Sequence, residues 1–177
     1  MTHVPARFEM IPGEGLRTHL GHDETEFLRG MTAEMKLLLE ADVPPTDPVL
    51  QRLFPDAYEE AEDSIAFREL VEDDLKAHKR EALRTVAERL GKRGPLITSI
   101  PEEEISSWLT LLTDLRLALG TRLGVTEEEM SKDLDPDDPD APAMSALHWL
   151  GWIQGTMLEA LDPTLQDLDE GARHEGP

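Results

Sequence analysis

Between Ala146 and Leu161 apolar side chains occupy almost every position around a helix: Leu147, Trp149, Leu150, Trp152, Ile153, Met157, Leu158 and Leu161, with Met144 just before them. A helix that is apolar all round is stable in water only where other elements cover it. The stretch is shorter than the roughly 20 residues that span a bilayer, and His148, Gln154 and Glu159 interrupt it. It therefore reads as the central helix of a bundle, beginning at Pro142 and ending at Asp162-Pro163.

Helices to surround it are written elsewhere in the chain. Phe27, Leu28, Met31, Met35, Leu38 and Leu39 recur at helical spacing after Asp23, an N-cap residue with Glu26 three positions on in the manner of a capping box. This helix should end near Ala41. Asp47-Pro48 opens a short helix, Val49 to Phe54, that reads as a plug over one end of the core and is stopped by Pro55. From about Ser64 to Leu90 runs the longest helix, roughly 40 Å at 1.5 Å per residue, with a stripe of Phe67, Leu70, Val71, Leu75, Leu83, Val86 and Leu90. Gly91 and Gly94-Pro95 stop it. After a short apolar stretch, Leu96 to Ile100, Pro101 opens a fourth helix with Ile105, Trp108, Leu109, Leu112, Leu115, Leu119 and Leu123 on its apolar face and Gly124 as C-cap.

At the N-terminus, Phe8, Met10, Leu16, Thr18 and Leu20 alternate around Pro12-Gly13-Glu14-Gly15, the pattern of a β-hairpin. A lone hairpin is marginal in water, so it should pack on a helix or pair with another subunit. The expected architecture is mainly α: a helical bundle of four main helices plus a short helix, with an N-terminal β-hairpin. It forms a single domain over 1–163, with an acidic, mobile loop at 127–141 and a flexible tail at 164–177. Between Glu127 and Asp140 eight acidic residues face one base, Lys132, with two prolines among them.

Charge and composition narrow the function. Thirty-eight acidic against 17 basic residues give a formal charge of −21, a field that repels phosphate backbones and anionic lipid. The chain has no cysteine, which excludes disulfides, thiolate nucleophiles and iron–sulfur clusters. Met1 to Ile11 lacks the apolar run of a signal peptide, so a cytoplasmic setting is expected. No phosphate loop, dinucleotide fingerprint, nucleophile elbow or zinc-protease histidine pair occurs, so no enzyme class is supported and no cofactor is expected.

A few residues stand out as candidates. Asp114, Arg116 and Arg122 are charges embedded in a leucine-rich helix, where unpaired burial is costly; they either point outward, pair with another helix or form a polar site. Lys76, Lys79, Arg80, Arg84, Arg89, Lys92 and Arg93 concentrate positive charge along the second half of the longest helix and just past its end. This complements the helix dipole, and Arg80 and Arg84 are also candidates for contact with an anion or an acidic partner, the chain's own acidic loop included. His19 and His22, with Asp23, Glu24 and Glu26, form the densest group of potential metal ligands, although Asp23 is better read as a cap. Trp149 and Trp152 suit a core or a ligand pocket. Gly151 and Gly155, four apart, allow another helix to approach closely.

Four blocks of sequence resemble a known family. Leu53-Phe54-Pro55-Asp56-Ala57-Tyr58, Phe67-Arg68-Glu69-Leu70 with Asp73-Asp74-Leu75, Asp114-Leu115-Arg116-Leu117-Ala118-Leu119-Gly120-Thr121-Arg122-Leu123-Gly124, and Trp149-Leu150-Gly151-Trp152-Ile153-Gln154 look like the bacterial domain-of-unknown-function family two-thousand-seventeen. That family has no established activity to carry over. The resemblance implies gene company with the substrate-recognition adaptor of the Clp protease and with a JAMM-type peptidase, and some members bear the label of transcriptional regulator. The expectation is a non-enzymatic protein-interaction or regulatory module linked to intracellular proteolysis, with self-association as a homodimer a further expectation. Alternatives are a nucleic-acid-binding regulator using Arg80, Arg84, Arg89, Lys92 and Arg93, against which the net charge argues, and a small-molecule or metal-dependent enzyme centred on Asp114, Arg116 and Arg122 or on His19 and His22.

Overall fold

The computed structural model describes residues 7–41, 46–55, 65–126 and 138–162, with the backbone alone for 65–69. Pro44-Pro45, Asp56 to Ser64, the side chain of Phe67, most of the acidic loop and the tail at 164–177 lie outside the described side chains. The chain runs β1 (Phe8–Ile11), β2 (Gly15–Leu20), α1 (His22–Glu40), α2 (Pro48–Leu53), α3 (Ile65–Leu90), β3 (Leu96–Ile100), α4 (Glu102–Leu123) and α5 (Ala141–Leu161). It is mainly α, as the periodicity requires, with an N-terminal antiparallel hairpin.

The hairpin gains a third strand. The apolar stretch Leu96 to Ile100 pairs antiparallel with β2, giving the order β1-β2-β3, with Leu16 opposite Ile100 and Leu20 opposite Leu96. Phe8, Leu16, Thr18, Leu20, Leu96 and Ile100 are buried on one face, where the period-two alternation places them. Gly15 makes the pairing possible. Its φ is +93°, and an added Cβ would stand 2.2 Å from the Ile100 carbonyl oxygen, so only glycine fits.

α1 begins two residues earlier than the Asp23–Glu26 box predicts. Gly21 is the N-cap, and its N–H donates to Glu24 Oε2 at 2.8 Å. Glu24 is held there by Arg7, while Thr25 Oγ1 donates to the Gly21 carbonyl at 2.7 Å. Asp23 falls in the first turn, where a negative charge meets the helix dipole. α2 follows expectation: Asp47 Oδ1 accepts from Val49 N and Leu50 N at 2.8 and 3.1 Å, and Val49, Leu50, Leu53 and Phe54 are buried. α4 ends on Gly124 with φ 63°, the left-handed cap expected there.

Two expectations are overturned. Leu70, assigned to the apolar stripe of α3, is 60% exposed. The central helix is α4 rather than α5: α4 packs against α1, α2, α3, α5 and β2, whereas α5 packs on α4 and β1. α5 turns Trp152 and Leu158 outward, at 49% and 44% exposure. Mean apolarity misranks the two helices because α4 carries polar groups whose partners are supplied in place. Asp114 has Lys79, and the half-buried Arg116 has Gln154. Once bonded, such groups no longer bar a helix from the interior.

Candidate functional site

The cations of α3 divide by what they touch. Lys79 reaches Asp114 at 2.5 Å, nearly out of solvent. Arg80 Nη2 donates to the Leu39 carbonyl at 2.8 Å and so caps the end of α1. Arg84 straddles Glu81 and Glu88 on the exposed face, two ion pairs at 2.6 Å, and they raise its pKa above the usual arginine value through those hydrogen bonds. Arg89 grips Glu104 of α4 with Nε and Nη2, at 3.0 and 2.5 Å; this bidentate bond likewise raises its pKa. Lys76 pairs with Glu72 at 2.5 Å. Arg93, past the helix end, is exposed and has no ion-pair partner among the described residues.

Two concave regions flank this basic half of α3. A cleft of about 620 Å³ separates it from β3, with Arg84, Arg89 and Arg93 on one side and Leu96, Ile97 and Thr98 on the other. A groove of about 450 Å³ separates it from α1, floored by Leu39, Leu83 and Ala87 and rimmed by Lys36, Arg80 and Arg84. It continues into a smaller hollow of about 210 Å³ beside Arg29. Lys36, Arg29, Arg80, Arg84, Arg89 and Arg93 stand here with Glu26, Glu40, Glu81, Glu88 and Glu104 among them. Most of these cations are already paired with a carboxylate, and Arg93 is the exposed one with no ion-pair partner among the described residues.

Asp114, Arg116 and Arg122 do not meet in one site; they leave α4 toward three different helices. Asp114 faces α3 and Lys79, and its burial pushes its carboxyl above the ordinary aspartate range against the pull of that lysine. Arg122 pairs with Glu34 of α1 at 3.5 Å on the surface. Arg116 faces α5, where its Nη1 donates to Gln154 Oε1 at 2.7 Å and Gln154 Nε2 donates to Thr113 Oγ1 at 2.7 Å. Arg116 packs against Gly151, where an added Cβ would lie 3.5 Å from its Nε, an ordinary contact distance.

His19 and His22 are both exposed. Among the described residues no group of three or more histidine, aspartate or glutamate side chains is placed to hold a metal ion. Trp149 packs edge-on against Phe27, with centroids 5.3 Å apart. Trp152 lies under the Arg7 guanidinium at 4.8 Å. No described helix is long and apolar enough to cross a membrane.

Sequence reasoning passed over Arg29, which ties α1 to the end of α3, and the Arg89–Glu104 clamp. Neither has a local signature, since each depends on a partner from another helix. β3 was legible in principle: Ile97, Thr98 and Ile100 are β-branched and bracketed by Pro95 and Pro101.

Residues 6–161 match the family model described as a domain of unknown function, DUF2017. No curated protein and no solved structure matches the chain.

Proposed function

The chain belongs to the DUF2017 family, and from that premise we propose that it is a non-enzymatic protein-interaction module whose surface around the C-terminal end of α3 receives an acidic segment of a partner protein. The observation that supports this reading is Arg93, exposed and with no ion-pair partner among the described residues, beside the cleft that Arg84 and Arg89 also line in a chain of charge −21. Complementary charge at such a face selects the partner and speeds its arrival. The gene company implied by the family resemblance makes the intracellular proteolysis machinery the first place to seek that partner, in the cytoplasm. The groove between α1 and α3 suits the apolar side of such a segment, because Leu39, Leu83 and Ala87 floor it.

A nucleic-acid-binding role is the competing reading, and the formal charge of −21, which repels a long phosphate backbone, counts against it. Fluorescence anisotropy with a labelled peptide of alternating glutamate and valine, beside a labelled DNA duplex, separates the two. The peptide should bind the wild-type chain, weaken as salt rises, and lose about tenfold in affinity on Arg84→Glu with Arg93→Glu. Binding of the duplex in preference to the peptide, or of neither, overturns the proposal.

A further inference from the structure

Backbone groups along a strand face its two neighbours alternately. His19 N–H donates to the Arg7 carbonyl at 2.9 Å, so the odd residues of β2 turn toward β1 and Leu16, Thr18 and Leu20 turn toward β3. These pair with Ile100, Thr98 and Leu96. The inward turn of Leu96 is seen directly, its N–H lying 3.0 Å from Thr25 Oγ1, which itself donates to the Leu20 carbonyl. Ile97 and Ser99 therefore carry their N–H and C=O on the outer edge of the sheet. Among the described residues no backbone group meets them.

An open edge is a template for another strand unless something blocks it. The opposite edge strand, β1, packs against α5. On β3 no charged residue interrupts the strand, and Ile97 is 65% exposed. What lies beside the edge is the cleft of about 620 Å³, where Arg84 and Arg89 are held by Glu81, Glu88 and Glu104 and Arg93 stands exposed with no ion-pair partner among the described residues. We propose that this edge is a strand-addition site, at which an extended acidic segment of a partner protein pairs with Ile97 and Ser99 while a carboxylate of that segment meets Arg93. It rests on the acidic-partner reading above and specifies how that partner is held. Backbone pairing supplies affinity and the flanking side chains supply selectivity in this mode. A second copy of the chain is the rival occupant, and two chains of charge −21 repel one another.

The test uses the full chain and the same labelled glutamate–valine peptide, with a version methylated at alternate backbone nitrogens, which can no longer donate along one edge. Ile97→Pro removes one outward N–H without touching the bonds to β2, a place where an edge strand tolerates proline. Its far-ultraviolet dichroism and melting curve are compared with wild type. Methylation and Ile97→Pro should each lower peptide affinity by about tenfold, and the methylation result stands whether or not the variant folds. Equal binding of plain and methylated peptides, both still weakened by Arg93→Glu, overturns strand addition and leaves the acidic-partner reading in place. Binding of neither peptide overturns both. A wild-type dimer by light scattering that Ile97→Pro makes monomeric assigns the edge to a second copy and overturns the proposal.

Discussion

Arg29 of α1 donates to the Leu90 carbonyl from both Nε and Nη2, at 3.1 and 2.7 Å, and so closes the C-terminus of α3 from a different helix. The same guanidinium reaches the carbonyls of Gly91 and Gly94. Arg80 of α3 returns the arrangement by donating to Leu39 near the end of α1. Each of two antiparallel helices thus receives an arginine from the other where its own carbonyls run out of partners. The walls of the basic groove are fixed in register by this exchange.

Removing Arg29 leaves several carbonyls without a donor. Arg29→Met should cost about 2–3 kcal/mol, the range for hydrogen bonds to a charged group. Arg80→Met, which loses one such bond, should cost about half as much. Urea denaturation of the two variants checks the order, and an equal or reversed loss would show that the caps are not what joins the helices.

The Lys79–Asp114 pair is nearly dry, with 11% and 4% of the two side chains exposed. Asp114→Asn strands a buried ammonium and should destabilise by about 3 kcal/mol. The double substitution Lys79→Met with Asp114→Leu should recover most of that loss, because an apolar pair needs no desolvation of charge. A double substitution as damaging as Asp114→Asn would mean that the charges themselves hold α3 to α4.

Asp114 also carries a pH signature. Its folded pKa is raised by burial, so the fold binds this proton more tightly than the unfolded chain does. The resulting stabilisation is complete below the ordinary aspartate range and is lost as pH rises through the raised value. Carbon-13 detection of the carboxyl should show a midpoint above that of a free aspartate. In Asp114→Leu with Lys79→Met, this part of the pH dependence of unfolding should disappear.

Gly15 and Gly13 both sit at positive φ in the hairpin, at +93° and +80°, but only Gly15 faces another strand closely. Gly13→Ala should cost about 1 kcal/mol, the backbone strain alone. Gly15→Ala adds a collision with the Ile100 carbonyl and should cost about 3 kcal/mol or more. Similar melting temperatures for the two variants would show that β3 can give way.

Arg116, two residues from Asp114, should behave differently from it. Its partner Gln154 is neutral, and its Nε is buried without an acceptor among the described residues. Arg116→Met gives up one hydrogen bond but also relieves a half-buried charge, so its net cost should stay below about 1 kcal/mol. A loss as large as that of Asp114→Asn would show the guanidinium to be a structural keystone between α4 and α5.

Local chemistry determined much of this protein. Asp47-Pro48 starts α2, Gly124 ends α4, and the alternation from Phe8 to Leu20 makes a hairpin, because each depends on backbone geometry and on partners within a few residues. Arg80 and Arg84 were legible as members of a basic stretch for the same reason. Tertiary structure decided the rest. It seated α4 rather than α5 at the centre, sent Asp114, Arg116 and Arg122 to three different neighbours, and set Leu96 to Ile100 against β2. Burial of a polar group and pairing of a strand are settled by what a distant segment offers: Lys79 for Asp114, Gln154 for Arg116, and the glycine at position 15 for the carbonyl of Ile100.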